Sequence, residues 1–327
     1  MRQPCPYDAS EREVRRKAYH MYIVQFIHSW KEHVFPLSEQ EPDGRFRVPW
    51  NSGKHCRRLV KHLGDYVEDD FRKKGMLTFW TEWESQTFAT DVRKLKGEAK
   101  FIHEVRYPLI PHGNINAHGD CAMNGNNHTL TALQNTDPCV FGCSFKYSNC
   151  LQSQKHRHVF QNLEEGSMIV FVSRHSEKWY LDTVLVTHGG CVSYVTPQTS
   201  SINCSPVYRS LTLNRIPPRE KHYFYRGVAC VTDEEARDGV FSYTPAQKYS
   251  GGIDDLKRCR LDLQGINATI GRNIFSISKP QGYKPIEADA DLVRRVWCEI
   301  KDQVTNQKFV LGVHFDWPKI NVEKVGA

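Results

Sequence analysis

The sequence predicts an α+β protein: a mixed or antiparallel sheet, or a small β-barrel, flanked by helices from the N- and C-terminal parts of the chain. Three observations predict it. Two apolar, β-type runs at 167–173 and 179–187 are joined by a short polar turn at 175–178, the signature of a hairpin. Helix-type spacing is strongest toward the two ends. Strands and helices do not alternate, which argues against a doubly wound parallel sheet, and no internal repeat is present.

Taken in order, Ser10, Glu11, Arg12 and Glu13 form a capping box, and Val14, Ala18, Met21, Ile27, Trp30 and Val34 follow near helical spacing up to Pro36. A polar stretch with Pro42, Gly44 and Pro49 leads to a second expected helix, with Leu59, Leu63, Tyr66 and Phe71 on one face and Gly75 as its stop. Residues 76–80 are apolar and aromatic and read as a strand. Residues 96–127, rich in Gly, Asn, His and Pro, read as a loop of the kind that carries function. After the central hairpin, 192–195 is a further strand and 196–218 is irregular. Strands are expected at 223–231 and 240–243, and a polar passage with Gly251 and Gly252 follows. A helix over 289–304 sets Leu292, Val296, Ile300 and Val304 on one stripe with Trp297 beside it, and a strand at 309–314 ends the pattern. The division this implies is a helical region over 1–75 and a β-rich core over 76–327, packed as one unit.

The chain has 327 residues and a formal net charge of +7, with 39% hydrophobic residues, enough to bury a core. The longest apolar run, 168–172, is far short of the ~20 residues a membrane-spanning helix needs. Residues 1–16 are polar and proline-broken, unlike a secretory signal. The expectation is an intracellular protein, cytoplasmic or, in a eukaryote, nuclear. The basic excess is mild, gathered around Lys54–Arg58, Arg72–Lys74, Arg93–Lys96 and Lys155–His158. Such clusters are either solvated surface or phosphate contacts, depending on whether they share a face. Eleven cysteines is an odd count, which argues for reduced thiols. Cys121, Cys139, Cys143 and Cys150 lie close in sequence but lack zinc-knuckle spacing.

Several segments, in order, carry a resemblance. They are residues 77–84 (LTFWTEWE), 133–142 (LQNTDPCVFG), 145–152 (FKYSNCLQ), 163–171 (LEEGSMIVF) and 181–186 (LDTVLV). Together they resemble an uncharacterised family with the pattern FWGEWE … LQNTDPxVFGxxFxYSxCKQ … LxxGSxILFGS … LDTVFVV. Residues 51–55 with Arg57 and Arg58, residues 239–245 and the Trp297 helix look like the same family, so the likeness covers roughly 50–318. Thr81, Leu151 and Val172 depart from the pattern, standing where Gly, Lys and Gly are expected; the missing Lys weakens a phosphate role there. In layout, the middle portion is also similar to nucleotide-modification-associated domains. That resemblance implies a barrel holding a nucleotide or base, and hence a nucleotide or nucleic acid as partner.

The residues offer matching chemistry. Gln134, Asn135, Thr136 and Asp137 are four successive hydrogen-bonding side chains suited to a base edge, although Asp137-Pro138 equally reads as a turn; Gly142 allows a tight one. Tyr147, Asn149, Cys150 and Gln152 form a second half of the same expected pocket. Asn149 and Gln152 both donate and accept, Tyr147 either stacks on a base or packs in the core, and Cys150 is a nucleophile or a buried small hydrophobe. Glu82 and Glu84 share a strand face near Trp80 and Trp83, whose apolar bulk would split the two carboxylates into acid and base. The catalytic candidates are thus Glu82, Asp137 and Cys150. Asp182, a carboxylate inside an apolar strand, requires a partner.

Two alternatives stay open. One is a non-catalytic module binding a modified base or nucleotide. The other is an iron oxygenase in which His118 and Asp120 give the His-x-Asp part of a facial triad. The sequence identifies no cofactor.

Overall fold

The computed structural model describes residues 21–35, 37, 40–48, 56–83, 85–105, 120–122, 129–131, 137–148, 158–194, 202–213, 222–252, 260–263, 265–271, 273–276 and 282–317. The fold is α+β, built on two large sheets.

In the first sheet, β1 (Met21–His28) runs between β15 (Gly282–Ala288), antiparallel, and β10 (Met168–His175), parallel. The latter pairs antiparallel with β11 (Lys178–Tyr194), completing the hairpin read from sequence. Beyond it lie β12 (His222–Gly227), β9 (Lys146–Tyr147) and β14 (Leu261–Leu263). Val192 and its neighbours extend β11 rather than making a separate strand.

In the second sheet, β3 (Arg58–Glu68) pairs along its whole length with β4 (Phe71–Thr81). It also pairs in parallel with β6 (Phe101–Val105), and the sheet continues through β5 (Thr87–Asp91) to β2 (Phe46–Val48). On the other side β4 pairs with β13 (Thr244–Lys248), β13 with β16 (Val310–Phe315), and β16 returns to β3. Those four antiparallel strands close a small barrel. A separate hairpin joins β7 (Asp120–Ala122) to β8 (Thr129–Thr131). The helices are α1 (Pro206–Leu211), α2 (Asp233–Asp238), α3 (Ile266–Ile270) and α4 (Ala290–Asn306).

Four expectations are corrected. Met21–His28, expected in a helix, is a strand paired on both sides, between β15 and β10; the capping box at Ser10 lies outside the described residues. The second expected helix is β3, and the proposed boundary at residue 75 falls inside β4, where Gly75 pairs with Gly64 instead of stopping a helix. The loop expected over 96–127 contains β6, with Phe101, Ile102 and His103 buried. The strand expected at 240–243 starts later: Tyr243 makes a single bridge to Val184, and the regular strand begins at Thr244. The helix over 289–304 and the strand at 309–314 are present as α4 and β16.

The first sheet is covered on both faces, which explains its nearly continuous apolar strands. Val24, Phe26, Ile169 and Phe171 point into an aromatic core with Phe79, Phe141, Tyr147, Phe160 and Phe315. Their strand neighbours Ile23, Ile27, Met168, Val170 and Val172 point the other way, into a core closed by α4. Asp289 caps α4 by accepting the Leu292 N–H at 2.7 Å.

Gly64 permits the barrel to close. A Cβ there would stand 2.5 Å from the His314 carbonyl oxygen and 2.8 Å from the Phe315 ring. Since backbone cannot retreat without breaking the β3–β16 pairing, Gly64→Ala is expected to cost about 1–3 kcal/mol. Urea denaturation checks it; an unchanged midpoint contradicts the close approach.

Candidate functional site

A buried group of charged side chains lies where ends of the two sheets meet. His28 closes β1, Arg57 immediately precedes β3, Glu82 immediately follows β4, and Asp182 comes from β11. Each is 7% exposed or less. Arg57 donates to Asp182 Oδ2 at 3.0 Å and to His28 Nδ1 from the same terminal nitrogen. Because a guanidinium only donates, Nδ1 of His28 is an acceptor and the neutral ring carries its proton on Nε2. Glu82 Oε2 stands 3.5 Å from that same Nδ1. A proton on Glu82 therefore stands beside the Nδ1 lone pair and reaches it only if the Arg57 N–H gives that lone pair up.

The local fold aims Asp182 into this group. Phe171 pairs with Thr183 and Val172 with Leu181, so Asp182 is the extra residue of a β-bulge. Its carbonyl accepts the hydroxyls of Thr183 at 2.7 Å and Thr244 at 2.5 Å, and Ser173 Oγ is 3.5 Å from its carboxylate. The requirement that this carboxylate have a partner is met by a basic side chain. Burial pushes its pKa up, opposed by the positive charges of Arg57 and Arg260 and reinforced by Glu82.

Arg58, next to Arg57 and therefore on the opposite strand face, is also fully buried. It donates to the Ser85 carbonyl and lies 3.4 Å from His33 Nδ1. Nearby, His103 contacts Thr87 Oγ1 at 2.9 Å, and burial with Arg58 and His33 drives its pKa well below the ordinary histidine range. Arg260 borders the group, its guanidinium carbon 3.7 Å from the ring centres of both Trp30 and Trp80.

The expected pocket halves fare differently. Glu82 is in the charged group. Asp137 is fully buried elsewhere, accepting the Ser148 N–H at 3.1 Å, while Ser148 Oγ meets Tyr208 OH at 2.7 Å and Tyr194 OH donates to the Ser148 carbonyl. That pattern fits the turn reading of Asp137-Pro138. Tyr147 is enclosed by Phe26, Phe160, Phe171 and Tyr225, so its ring packs the core and has no open face for a base. Gly142 adopts φ +87°, and a Cβ would meet Trp317 Nε1 at 2.5 Å, in keeping with the tight turn. Beside it, Lys146 donates to the carbonyls of Phe141 and Ser144, tying the turn, and burial lowers its pKa.

Gln134, Asn135, Thr136, Asn149, Cys150, Gln152, Glu84 and His118 lie outside the described residues. Asp120 begins β7. Among the described residues no group of three or more His, Cys, Asp or Glu side chains could hold a metal ion. The described cysteines form no disulfide, and Cys139 is pushed up to about 11 by burial. No helix among the described residues is long and apolar enough to cross a membrane. A cavity of about 210 Å³ behind the first sheet, between Met21, Thr187, Val293 and Arg294, touches none of the candidate residues.

Sequence reasoning missed His28 and Arg260 as site members. His28 sat within an expected helix, and Arg260 in a polar passage without pattern. Arg57 was visible only as a member of a basic cluster and of a resembling motif, and Asp182 only as an anomaly.

In comparisons with family models, with characterised proteins and with solved structures, nothing matches this chain.

Proposed function

We propose that the protein acts on a nucleotide or nucleic acid, with the Arg57, His28, Glu82 and Asp182 group as its chemical centre. The observation that carries this reading is the β-bulge that turns Asp182 into a buried cluster holding a second carboxylate and a neutral imidazole. Buried ion pairs contribute little net stability compared with well-packed apolar residues, so their retention calls for another reason. A carboxylate beside an imidazole, with a second carboxylate held across an arginine, is equipment for moving a proton. Glu82 would hold that proton and pass it to His28 Nδ1 as the Arg57 hydrogen bond to that nitrogen breaks, while Arg57 otherwise fixes the imidazole tautomer and steadies Asp182. The resemblance of the middle segments to nucleotide-modification-associated domains supports the substrate class. An intracellular location fits it too.

A non-catalytic binding module is the second reading, favoured by the Trp30–Arg260–Trp80 stack, which is stabilising without any chemistry. Thermal shift against nucleoside mono-, di- and triphosphates and short single strands tests the proposal. Wild type is expected to gain stability with at least one of these, and the near-isosteric Glu82→Gln to lose at least tenfold in apparent affinity or turnover. If no nucleotide or oligonucleotide stabilises the wild type, the proposal fails. If Glu82→Gln binds and turns over as wild type does, the cluster is structural.

A further inference from the structure

The Arg260 stack extends beyond the two indoles. Its guanidinium is planar and stands equally close to Trp30 and Trp80, so one indole covers each of its faces. On Trp30 the imidazole of His175 lies parallel, 4.7 Å between ring centres and 3° between planes. With Arg260 against one face of Trp30, His175 takes the other. The four groups form a column, Trp80, Arg260, Trp30, His175, that begins beside the buried charged group and ends in solvent. Arg260 itself is 4% exposed, whereas His175 is exposed. Tyr180 leans on Trp30 at 4.4 Å and 46°, bracing the column from the side.

The outer end is held rigidly. His175 and Lys178 are the last paired residues of the β10–β11 hairpin, and Ser176 and Glu177 both take positive φ, 47° and 64°. Two such residues make the type I′ turn that matches strand twist, here without any glycine. The cations around this end are Lys31, next to Trp30, and Arg174 and Lys178 on the hairpin; Arg174 lies over the Trp179 ring and beside Glu177, and Lys178 reaches Asp262. A flat ring presented outward on a pre-built stack is what an unpaired base requires, and the hairpin cations bordering it, each shared with a carboxylate, can turn to a phosphate.

We propose that an unpaired nucleobase of a single-stranded nucleic acid stacks on the outward face of His175 and continues the column, its phosphates passing the hairpin cations. This rests on the nucleic-acid reading given above and adds where the strand lies. It also gives the column a purpose at its solvent end, where His175 is exposed. The strand would then run within reach of the group headed by Arg57, since Arg260 belongs to both surroundings.

The test compares oligothymidylate and oligouridylate of about 12 nucleotides with an abasic strand of equal length and charge, by fluorescence anisotropy. Wild type is expected to bind the base-bearing strands roughly 5- to 150-fold more tightly than the abasic one, the size of a single stacking contact. His175→Ala should erase most of that preference. His175→Phe should keep it, because the flat ring is retained. Since His175 is exposed at a hairpin tip, both variants are expected to melt near wild type. Equal binding of base-bearing and abasic strands overturns the stacking site while leaving a nucleic-acid partner in place. A base preference that survives His175→Ala overturns the location. Absence of binding to every strand overturns this site and the nucleic-acid part of the wider reading, whereas the nucleotide part falls only if the nucleoside phosphates also fail to stabilise the protein.

Discussion

Replacing Arg57 by leucine is expected to destabilise the fold by about 3–5 kcal/mol at neutral pH, the cost of stranding a buried charge. Arg57 is the 3.0 Å partner of Asp182, and both are almost fully enclosed. Burial already holds the Asp182 carboxyl above its ordinary value near 3.8, with Arg57 the largest opposing influence. An acid raised in the folded state favours folding most below its unfolded value, where it is protonated in both states. That contribution is lost as pH climbs from 3.8 through the raised folded value. Without Arg57 the folded value rises further, and the window of loss extends upward. The gap between variant and wild type should therefore be small near pH 3.8 and grow to a plateau toward neutrality. Adding Asp182→Asn to Arg57→Leu should recover a large part of the loss at neutral pH, since an amide is cheaper to bury than an unpaired carboxylate. Urea denaturation across that pH range reads all of this. A gap that does not change with pH would assign the cost to lost packing alone.

That expectation shows what the sequence could and could not reveal. Asp182 was conspicuous because a carboxylate interrupts an apolar strand, and the demand for a partner followed from the cost of burying it. Its partner was not nameable, because Arg57 lies 125 residues away in sequence and no local pattern encodes the meeting of β3 with β11. Nor was the bulge visible: a slipped register depends on what β10 offers opposite, not on the strand alone. The hairpin, α4 and β16 were legible because each has one clear periodicity. β1 was misread because both its faces are buried; MYIVQFIH lacks the alternation of a half-buried strand, and Met21, Ile27 and Trp30 match helical spacing by coincidence. β3 misled differently. Leu63, placed on an expected apolar helix face, is 38% exposed, while Gly64, which a helix tolerates poorly, was the sign of backbone packed against backbone.

The motif segments illustrate the same limit. Residues 77–84 and 145–152 were grouped because both carry the family resemblance. The structure assigns the aromatics of these segments to the core: Phe79 packs on Phe315, Trp83 on Phe141, and Tyr147 among Phe26, Phe160 and Phe171. Polar residues in such a segment have two ways to be satisfied, and Glu82 and Asp137 take different ones. Asp137 accepts the backbone N–H and the hydroxyl of Ser148, and that hydroxyl in turn meets Tyr208 OH of α1. Glu82 faces an ionisable ring on a distant strand. Only the second arrangement leaves a proton with somewhere to go.

Trp297→Ala is expected to cost about 3–5 kcal/mol, comparable to the Arg57 variant but by a different physical route. The indole is 2% exposed, packs edge-on against Phe241 and Tyr243, and donates from Nε1 to the Phe241 carbonyl at 2.8 Å. Truncation would leave a cavity between α4 and the back of the first sheet, and would orphan a buried carbonyl. Trp297→Phe keeps an aromatic ring and loses the hydrogen bond, so a smaller cost is expected, dominated by about 1–3 kcal/mol for the unsatisfied acceptor. Neither loss should depend on pH between 4 and 7, because no charge is uncovered; this is the contrast with Arg57→Leu. Trp297 belongs to the core behind the first sheet, whereas Phe26 and its aromatic partners fill the other face. Trp297→Phe should therefore lower the melting temperature while leaving oligonucleotide affinity unchanged below the transition. That makes it the control for Glu82→Gln: a loss of binding in the glutamate variant at equal or higher stability would belong to the site, not to the fold. If Trp297→Phe weakened binding as much as Glu82→Gln does, binding would track global stability and the charged group would have no special claim.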